Sequence, residues 1–143
     1  MKRRKAREHA LQILFQLDLR KEKPSAASLR RFWTEFQPEE DVKAFAEEII
    51  KGTYKHLPKI NDLIHQCAKN WSLDRMAVVD RNVLRMAIYE ILYRIDIPTS
   101  VSINEAIEIA KKYGTEESGA FVNGILDRVA RLTGKLEENR IED

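Results

Sequence analysis

The chain has 143 residues, of which 43% are hydrophobic and 34% charged, and its net charge is +2. This length is typical of one domain, since domains run ~100–200 residues, and it needs no disulfide or metal to bury a sizeable core. Five glycines and four prolines exclude collagen-like and low-complexity chains, and no apolar run approaches the ~20 residues that span a membrane.

The chain begins with a basic segment, residues 1–7, which we call the basic arm. The arm carries five basic side chains and no acidic one, whereas the other 136 residues carry 20 basic and 23 acidic side chains. Blocks of like charge often bind nucleic acid. The planar guanidinium of arginine suits bidentate contact with phosphate, and arginine-rich segments commonly become ordered on RNA. The arm therefore favours RNA binding; a purely solubilising terminus is the alternative.

Hydrophobic residues recur with the helical period of 3.6 along nearly the whole chain. An apolar stripe predicts a first helix that runs from the arm to about Arg20. Ser25 fits the N-cap of a second helix, which ends near Phe36. Pro38 is predicted in the first turn of a third helix, and a fourth helix starts at Pro58.

The second half of the chain has the same periodicity. Residues 72–95 predict either one long helix or a short turn followed by a long helix. Ser102 and Glu105 have the spacing of a capping box and predict the start of the next helix there. Gly114 fits the end of that helix.

Thr115 is predicted to cap a last helix, which ends at Gly134. Residues 135–143 are expected to form a frayed acidic tail. No segment of useful length alternates with period two, so no strand is expected. The sequence therefore predicts a single all-α domain, spanning residues 1–143, with about seven helices joined by short connections.

The sequence shows no set of residues typical of an enzyme or a metal site. None of the three histidines, His9, His56 and His65, has a second histidine three or four residues away. The single cysteine, Cys67, lies on an apolar stripe and is predicted to be a small core residue. We therefore expect no catalytic site, no metal and no cofactor. A lone cysteine also favours a reducing, cytoplasmic compartment.

Three stretches together resemble the NusB family of bacterial transcription antitermination factors: RRKAREHALQILF, VVDRNVLRMAIYEIL and VSINEAIEIAKKYGTEESGAFVNGILDRVA. The third stretch is the most specific, because it places INEAIE, a glycine, an acidic pair and FVNG in the family's order. The resemblance covers essentially the whole chain, and residues 21–70 are its least distinctive part. It implies two three-helix bundles packed roughly perpendicular, with an extra helix and no enzymatic activity.

The resemblance also implies the partners of the protein. Members of this family bind the boxA element of nascent RNA together with NusE, which is also a small-subunit ribosomal protein. They join elongating RNA polymerase with NusA and NusG and promote processive transcription of ribosomal RNA operons. Two alternatives are a stand-alone relative of the NusB-like module that targets ribosomal RNA methyltransferases, and a purely protein-binding helical scaffold such as a homodimer.

The matched motifs carry the family's RNA-binding positions onto this chain. Phe121, in the FVNG motif, falls on an aromatic position near the RNA, although it also fits the core stripe of the last helix. The arm residues are expected to be surface positions whose replacement leaves folding intact. The RNA-binding set that the resemblance implies is Arg3, Arg4, Lys5, Arg7, Glu117 and Phe121.

Two further residues fall on positions of the family that face the protein partner. Asp80 matches an acidic position that faces NusE, and its alternative role is the N-cap of the long helix. Phe15 stands where relatives carry a tyrosine, so a hydroxyl contact is absent there while aromatic packing is kept. The resemblance therefore implies a partner-binding surface around Asp80 and Phe15.

Overall fold

The computed structural model describes residues 2–135, and this part of the chain contains seven α-helices, one 3-10 turn and no strand. The predicted all-α class is therefore confirmed. Residues 136–143 of the predicted acidic tail lie outside the described residues. In chain order the helices are α1 (Lys2–Arg20), α2 (Ala26–Phe36), α3 (Glu40–Lys55), α4 (Leu57–Cys67), α5 (Val78–Tyr93), α6 (Thr99–Tyr113) and α7 (Ser118–Leu132).

Several helix ends lie where local sequence signals predict them. Ser25 is the N-cap of α2, and its hydroxyl accepts a hydrogen bond from the backbone amide of Ser28. Pro58 lies in the first turn of α4, where its missing amide hydrogen costs nothing. Gly114 is the C-cap of α6. The stretch 72–95 forms a short 3-10 turn followed by α5, which is one of its two predicted forms.

The predicted capping box at the start of α6 is wrong. The helix begins three residues earlier, at Thr99, so that Ser102 and Glu105 lie inside it. Both side chains bind elsewhere: the Ser102 hydroxyl donates to Glu90 at 2.9 Å, and Glu105 accepts hydrogen bonds from Arg4. Partners distant in sequence have therefore taken the side chains that would have capped the helix.

Two other predicted starts are also displaced. Pro38 precedes α3, whose N-cap is Glu39, so it lies outside the first turn. Thr115 is not the cap of α7, because the N-cap is Glu117. The backbone amide of Thr115 instead donates to the Ser118 hydroxyl at 2.9 Å.

Helix α5 is the centre of the molecule. It packs against α1, α3, α4, α6 and α7, and the buried apolar residues of all seven helices form one core. The Tyr89 ring of α5 lies directly against Gly52 of α3, where there is no space for a Cβ atom. Helix α1 packs against both α3 and α5. None of the described helices has the length and apolar character needed to cross a membrane.

Candidate nucleic-acid interface

The basic arm forms the first two turns of α1 and is fixed to the rest of the domain by ion pairs. Arg7 donates to both carboxylate oxygens of Glu90 in α5, at 2.7 and 2.8 Å. Arg4 donates two hydrogen bonds to Glu105 in α6, at 2.5 and 2.6 Å. Because bidentate arginine–carboxylate pairs fix orientation as well as distance, the start of α1 is held against α5 and α6.

The arm residues differ greatly in exposure. The expectation that all of them are surface positions is wrong for Arg7, whose side chain is only 4% exposed. Arg4 is half-buried, and its hydrogen bonds lower the pKa of the Glu105 carboxyl below its usual range. Arg7 thus has almost no surface to offer a ligand, and Arg4 has little.

Arg3 and Lys5 are exposed cations of the arm. Neither has an ion pair within residues 2–135, and the Arg3 guanidinium lies 4.9 Å from the centroid of the Phe45 ring. Lys2 is also exposed, but its ammonium group lies 2.9 Å from Glu39 and 3.0 Å from a second carboxylate. Arg3 and Lys5 therefore present the positive charge that is available to an anion.

The two predicted RNA-binding residues of the FVNG region lie in α7 and at its N-terminus. Phe121 is partly buried, and its ring packs edge-on against Trp71, with 6.1 Å between centroids. Glu117 is exposed and accepts a hydrogen bond from the Thr115 hydroxyl at 3.1 Å. The arm contacts α3, α5 and α6, whereas Phe121 contacts the α4–α5 connection. The structure thus places the arm and Phe121 in different contact networks.

Sequence reasoning assigned no functional role to Trp71. Its side chain is 52% exposed, although tryptophan is usually mostly buried. It follows Lys69 and Asn70 in the connection between α4 and the 3-10 turn. Trp71 lies two residues after a lysine and outside the apolar stripes. That position is the sequence signal for an exposed tryptophan.

One of the two predicted partner-binding residues, Phe15, lies on an apolar groove of about 540 Å³ between α1, α5 and the end of α6. Phe15 and Val79 line the groove together with Leu19, whose side chain is 58% exposed. Asp80 follows Val79 in sequence. It is not the N-cap of α5, because that position is Ala77.

The Asp80 side chain lies in the first turn of α5, where its charge complements the helix dipole. It is 9% exposed, and its Oδ1 atom has no hydrogen-bond partner within residues 2–135. Asp80 is therefore a nearly buried carboxylate with one unsatisfied oxygen, next in sequence to a residue that lines the groove.

A charged cluster joins the end of α1 to the start of α5. Asp18 accepts hydrogen bonds from Arg81 at 2.7 and 3.0 Å, from Asn82 at 2.8 Å and from Arg85 at 3.1 Å. Burial raises the pKa of Asp18, but the hydrogen bonds and the two guanidinium charges outweigh it and lower that pKa below 3.8. The cluster fixes the two helices that form the groove.

Within residues 2–135, no group of three or more His, Cys, Asp or Glu side chains is arranged to hold a metal ion. Cys67 is buried, and burial raises the pKa of its thiol. The prediction that Cys67 is a core residue is confirmed.

Comparison with known proteins identifies relatives along nearly the whole chain. The sequence model of the NusB family matches residues 4–131. The transcription antitermination protein NusB of Anaeromyxobacter sp. (strain Fw109-5) is 55% identical over 131 residues, which cover 91% of this chain and 90% of that protein.

Solved structures agree with the sequence comparison. The structure of T. maritima NusB matches with a TM-score of 0.82 and 46% identity over 90% of both chains. A crystal structure of the antitermination factors NusB and NusE in complex with double-stranded RNA matches with a TM-score of 0.81 and 27% identity, covering 92% of this chain and 97% of that one.

Proposed function

The chain belongs to the NusB family, and we propose on that premise that it is a transcription antitermination factor which binds boxA-type RNA together with NusE. The observation that carries the proposal is the arrangement of the basic arm. The ion pairs of Arg4 and Arg7 hold the arm in place, while Arg3 and Lys5 form no ion pair in the described part of the chain. Preorganised cations of this kind bind phosphate at a low entropic cost.

The RNA-binding set divides into two roles under this proposal. Arg3, Lys5 and Phe121 contact RNA directly, and Glu117 borders the bound complex. Arg7 holds the arm through its buried pair with Glu90. Arg4 stands between these roles, because it is half-buried yet lies at the surface of the arm.

NusE occupies the apolar groove under this proposal. The exposed Leu19, together with Phe15 and Val79, offers apolar area, and Asp80 follows Val79 in the first turn of α5. A basic ribosomal protein is electrostatically complementary to the Asp80 carboxylate. The resulting complex joins RNA polymerase with NusA and NusG and promotes transcription of ribosomal RNA operons. The protein acts there by binding, without catalysis, in the cytoplasm.

A thermodynamic cycle tests this function. Calorimetry measures the binding of boxA-like RNA and of a scrambled RNA of the same length, each with and without NusE, at one salt concentration. We expect boxA-like RNA to bind more tightly than the scrambled control and NusE to strengthen that binding by about 5- to 150-fold, the usual range of coupling between two ligands. The RNA must then strengthen NusE binding by the same factor, because coupling is reciprocal.

The same cycle distinguishes the alternatives. Equal RNA affinity with and without NusE would contradict cooperative binding and leave two independent sites. Binding of NusE with no binding of either RNA would contradict the RNA-binding function and favour a protein-binding scaffold.

A further inference from the structure

One aromatic ring lies among three arginines of the described chain. The Phe45 side chain of α3 is partly buried against the core. Its ring centroid lies 4.9 Å from the guanidinium carbon of Arg3, 5.4 Å from that of Arg7 and 5.2 Å from that of Arg94. A guanidinium within about 6 Å of a ring centroid is attracted by the negative charge of the ring face. The Phe45 ring therefore joins the first two turns of α1 to Arg94, the C-cap of α5.

Carboxylates hold two of these three arginines. Arg7 donates to Glu90 at 2.7 and 2.8 Å. Arg94 donates to Asp96 at 2.9 and 2.8 Å. The Arg3 side chain, by contrast, has no hydrogen bond or ion pair within residues 2–135. In that part of the chain the aromatic ring is therefore the contact that restrains the Arg3 guanidinium.

A ring restrains an arginine differently from a carboxylate. A carboxylate uses the N–H donors of the guanidinium, as Glu105 does with Arg4. A ring face attracts the charge of the whole group and leaves the N–H donors available. Because an arginine side chain has a large rotamer entropy, an arginine that is already restrained loses less entropy when it binds phosphate.

We propose that Phe45 is a positioning residue of the RNA-binding arm: its ring holds the Arg3 guanidinium at the surface, with the N–H donors available to an RNA phosphate, and Phe45 itself touches no RNA. The inference rests on the proposed function, in which Arg3 contacts RNA, and extends it to a residue of α3. It also gives Arg94 a role, because this carboxylate-held arginine contacts the same ring and keeps it in place.

Side-chain NMR tests the contact in the full-length protein without RNA. Protons close to the face of an aromatic ring resonate upfield, so the Cδ protons of Arg3 should be shifted upfield. Phe45→Leu should return them to the values of an exposed arginine, and Phe45→Tyr should keep the shift. Arg20, an exposed arginine at the other end of α1, should be unaffected by either variant.

A double-variant cycle tests whether the ring acts through Arg3. The affinity for single-stranded boxA-like RNA is measured for the wild type, Phe45→Leu, Arg3→Gln and the combined variant, at one salt concentration. We expect Phe45→Leu to weaken binding by about 2- to 5-fold, the factor that corresponds to an exposed cation–π contact. The same substitution should have no effect in the Arg3→Gln background, because the group that it positions is then absent. Phe45→Tyr should retain the wild-type affinity, since it keeps the aromatic face.

Tyr54→Leu is the matched control, because it removes a partly buried aromatic ring from the same helix. Tyr54 lies near the opposite end of α3, where its hydroxyl donates to the backbone carbonyl of Glu22 at 3.3 Å. Its replacement should lower the free energy of unfolding without changing RNA affinity. A loss of RNA affinity that followed stability alone would appear in Tyr54→Leu as well, and urea unfolding of every variant makes that comparison.

The outcomes separate this inference from the proposed function. Equal weakening by Phe45→Leu in both backgrounds, unchanged RNA affinity of Phe45→Leu, or Arg3 protons without an upfield shift would each overturn the role of Phe45. If Arg3→Gln/Lys5→Gln still weakened RNA binding in that case, the proposed function would stand without it. A wild-type protein that binds no RNA would overturn both.

Discussion

Arg7 in α1 and Glu90 in α5 form an ion pair with two hydrogen bonds, of 2.7 and 2.8 Å, although 83 residues separate them in sequence. The two side chains are 4% and 2% exposed. Ser102 in α6 donates a further hydrogen bond to Glu90 at 2.9 Å. Three helices therefore meet at one buried pair, and the orientation of the basic arm depends on it.

Replacing one member of this pair should strongly destabilise the fold. We expect Arg7→Ala to lower the free energy of unfolding by about 3–5 kcal/mol, because it leaves the Glu90 carboxylate buried without its partner. The double variant Arg7→Met/Glu90→Leu should lose less, since it removes both charges. Urea unfolding measures these changes, and the matched control is Arg3→Ala, an exposed position where roughly 0.5 kcal/mol or less is expected.

A loss for Arg7→Ala no greater than that for Arg3→Ala would contradict the buried pair. Arg7 would then be a surface residue, as the sequence alone predicted. A large loss combined with unchanged RNA affinity of the remaining folded protein would assign Arg7 to the fold rather than to RNA contact.

The sequence predicted the helices because each depends on signals a few residues apart. The apolar period, the Ser25 cap and Gly114 all act within one or two turns, and they are where the sequence placed them. The capping box at Ser102 failed because a distant carboxylate, Glu90, binds its hydroxyl. Pairing between residues far apart in the chain leaves no periodic signal, so it could not be predicted.

The same reasoning applies to the candidate sites. The charge of the arm was visible in the sequence, but the difference between buried Arg7 and exposed Arg3 was not, because packing against α5 decides it. The exposure of Trp71 likewise depends on how the α4–α5 connection meets α7. Composition therefore indicated a cationic segment, whereas the structure shows which of its residues are buried and which are exposed.

The Asp18 cluster should make the stability of the protein depend on pH in the acid range. The folded protein lowers the pKa of Asp18 below 3.8. A carboxyl with a lowered pKa stabilises the fold fully above its unfolded value, and the contribution disappears as the pH falls through the folded value. Unfolding measured from about pH 6 downward, which spans the ordinary range of carboxyl pKa values, should show stability falling most steeply near and below about pH 4.

Asp18→Asn should reduce that acid dependence. The variant should also be about 1–3 kcal/mol less stable at neutral pH, because Arg81 and Arg85 lose a charged acceptor. Asp62→Asn, at an exposed position in α4, is the matched control. If both variants had the same pH profile as the wild type, the acid dependence would come from other carboxyls.

The exposed cations of the arm should determine the salt dependence of RNA binding. For single strands, the slope of log affinity against log salt changes by ~0.7 for each phosphate that the protein no longer neutralises. The double variant Arg3→Gln/Lys5→Gln should therefore flatten the slope by about 1.4, with little change in stability. Filter binding or fluorescence anisotropy at several salt concentrations measures the slope.

The matched control for this pair is Lys55→Gln/Lys59→Gln. It removes two exposed charges near the junction of α3 and α4, whereas the arm contacts the opposite end of α3 at Asp41. Equal slopes for the arm variant, the control and the wild type would exclude the arm as a phosphate-binding segment.

Asp80 should contribute to binding of the NusE-type partner without contributing much to folding. Its Oδ1 atom has no hydrogen bond to lose within residues 2–135, and its favourable interaction with the dipole of α5 is worth only about 0.3–1 kcal/mol. Asp80→Asn should therefore keep nearly full stability, yet weaken partner binding by removing the negative charge that follows Val79 in α5. Asp74→Asn removes an exposed carboxylate six residues earlier and serves as the control. Because a negative charge attracts a basic partner before contact, surface plasmon resonance should show a slower on-rate for Asp80→Asn, and the difference from wild type should shrink at high salt. An on-rate equal to that of Asp74→Asn at every salt concentration would place the partner on another surface, and Phe15→Ala would then leave its affinity unchanged as well.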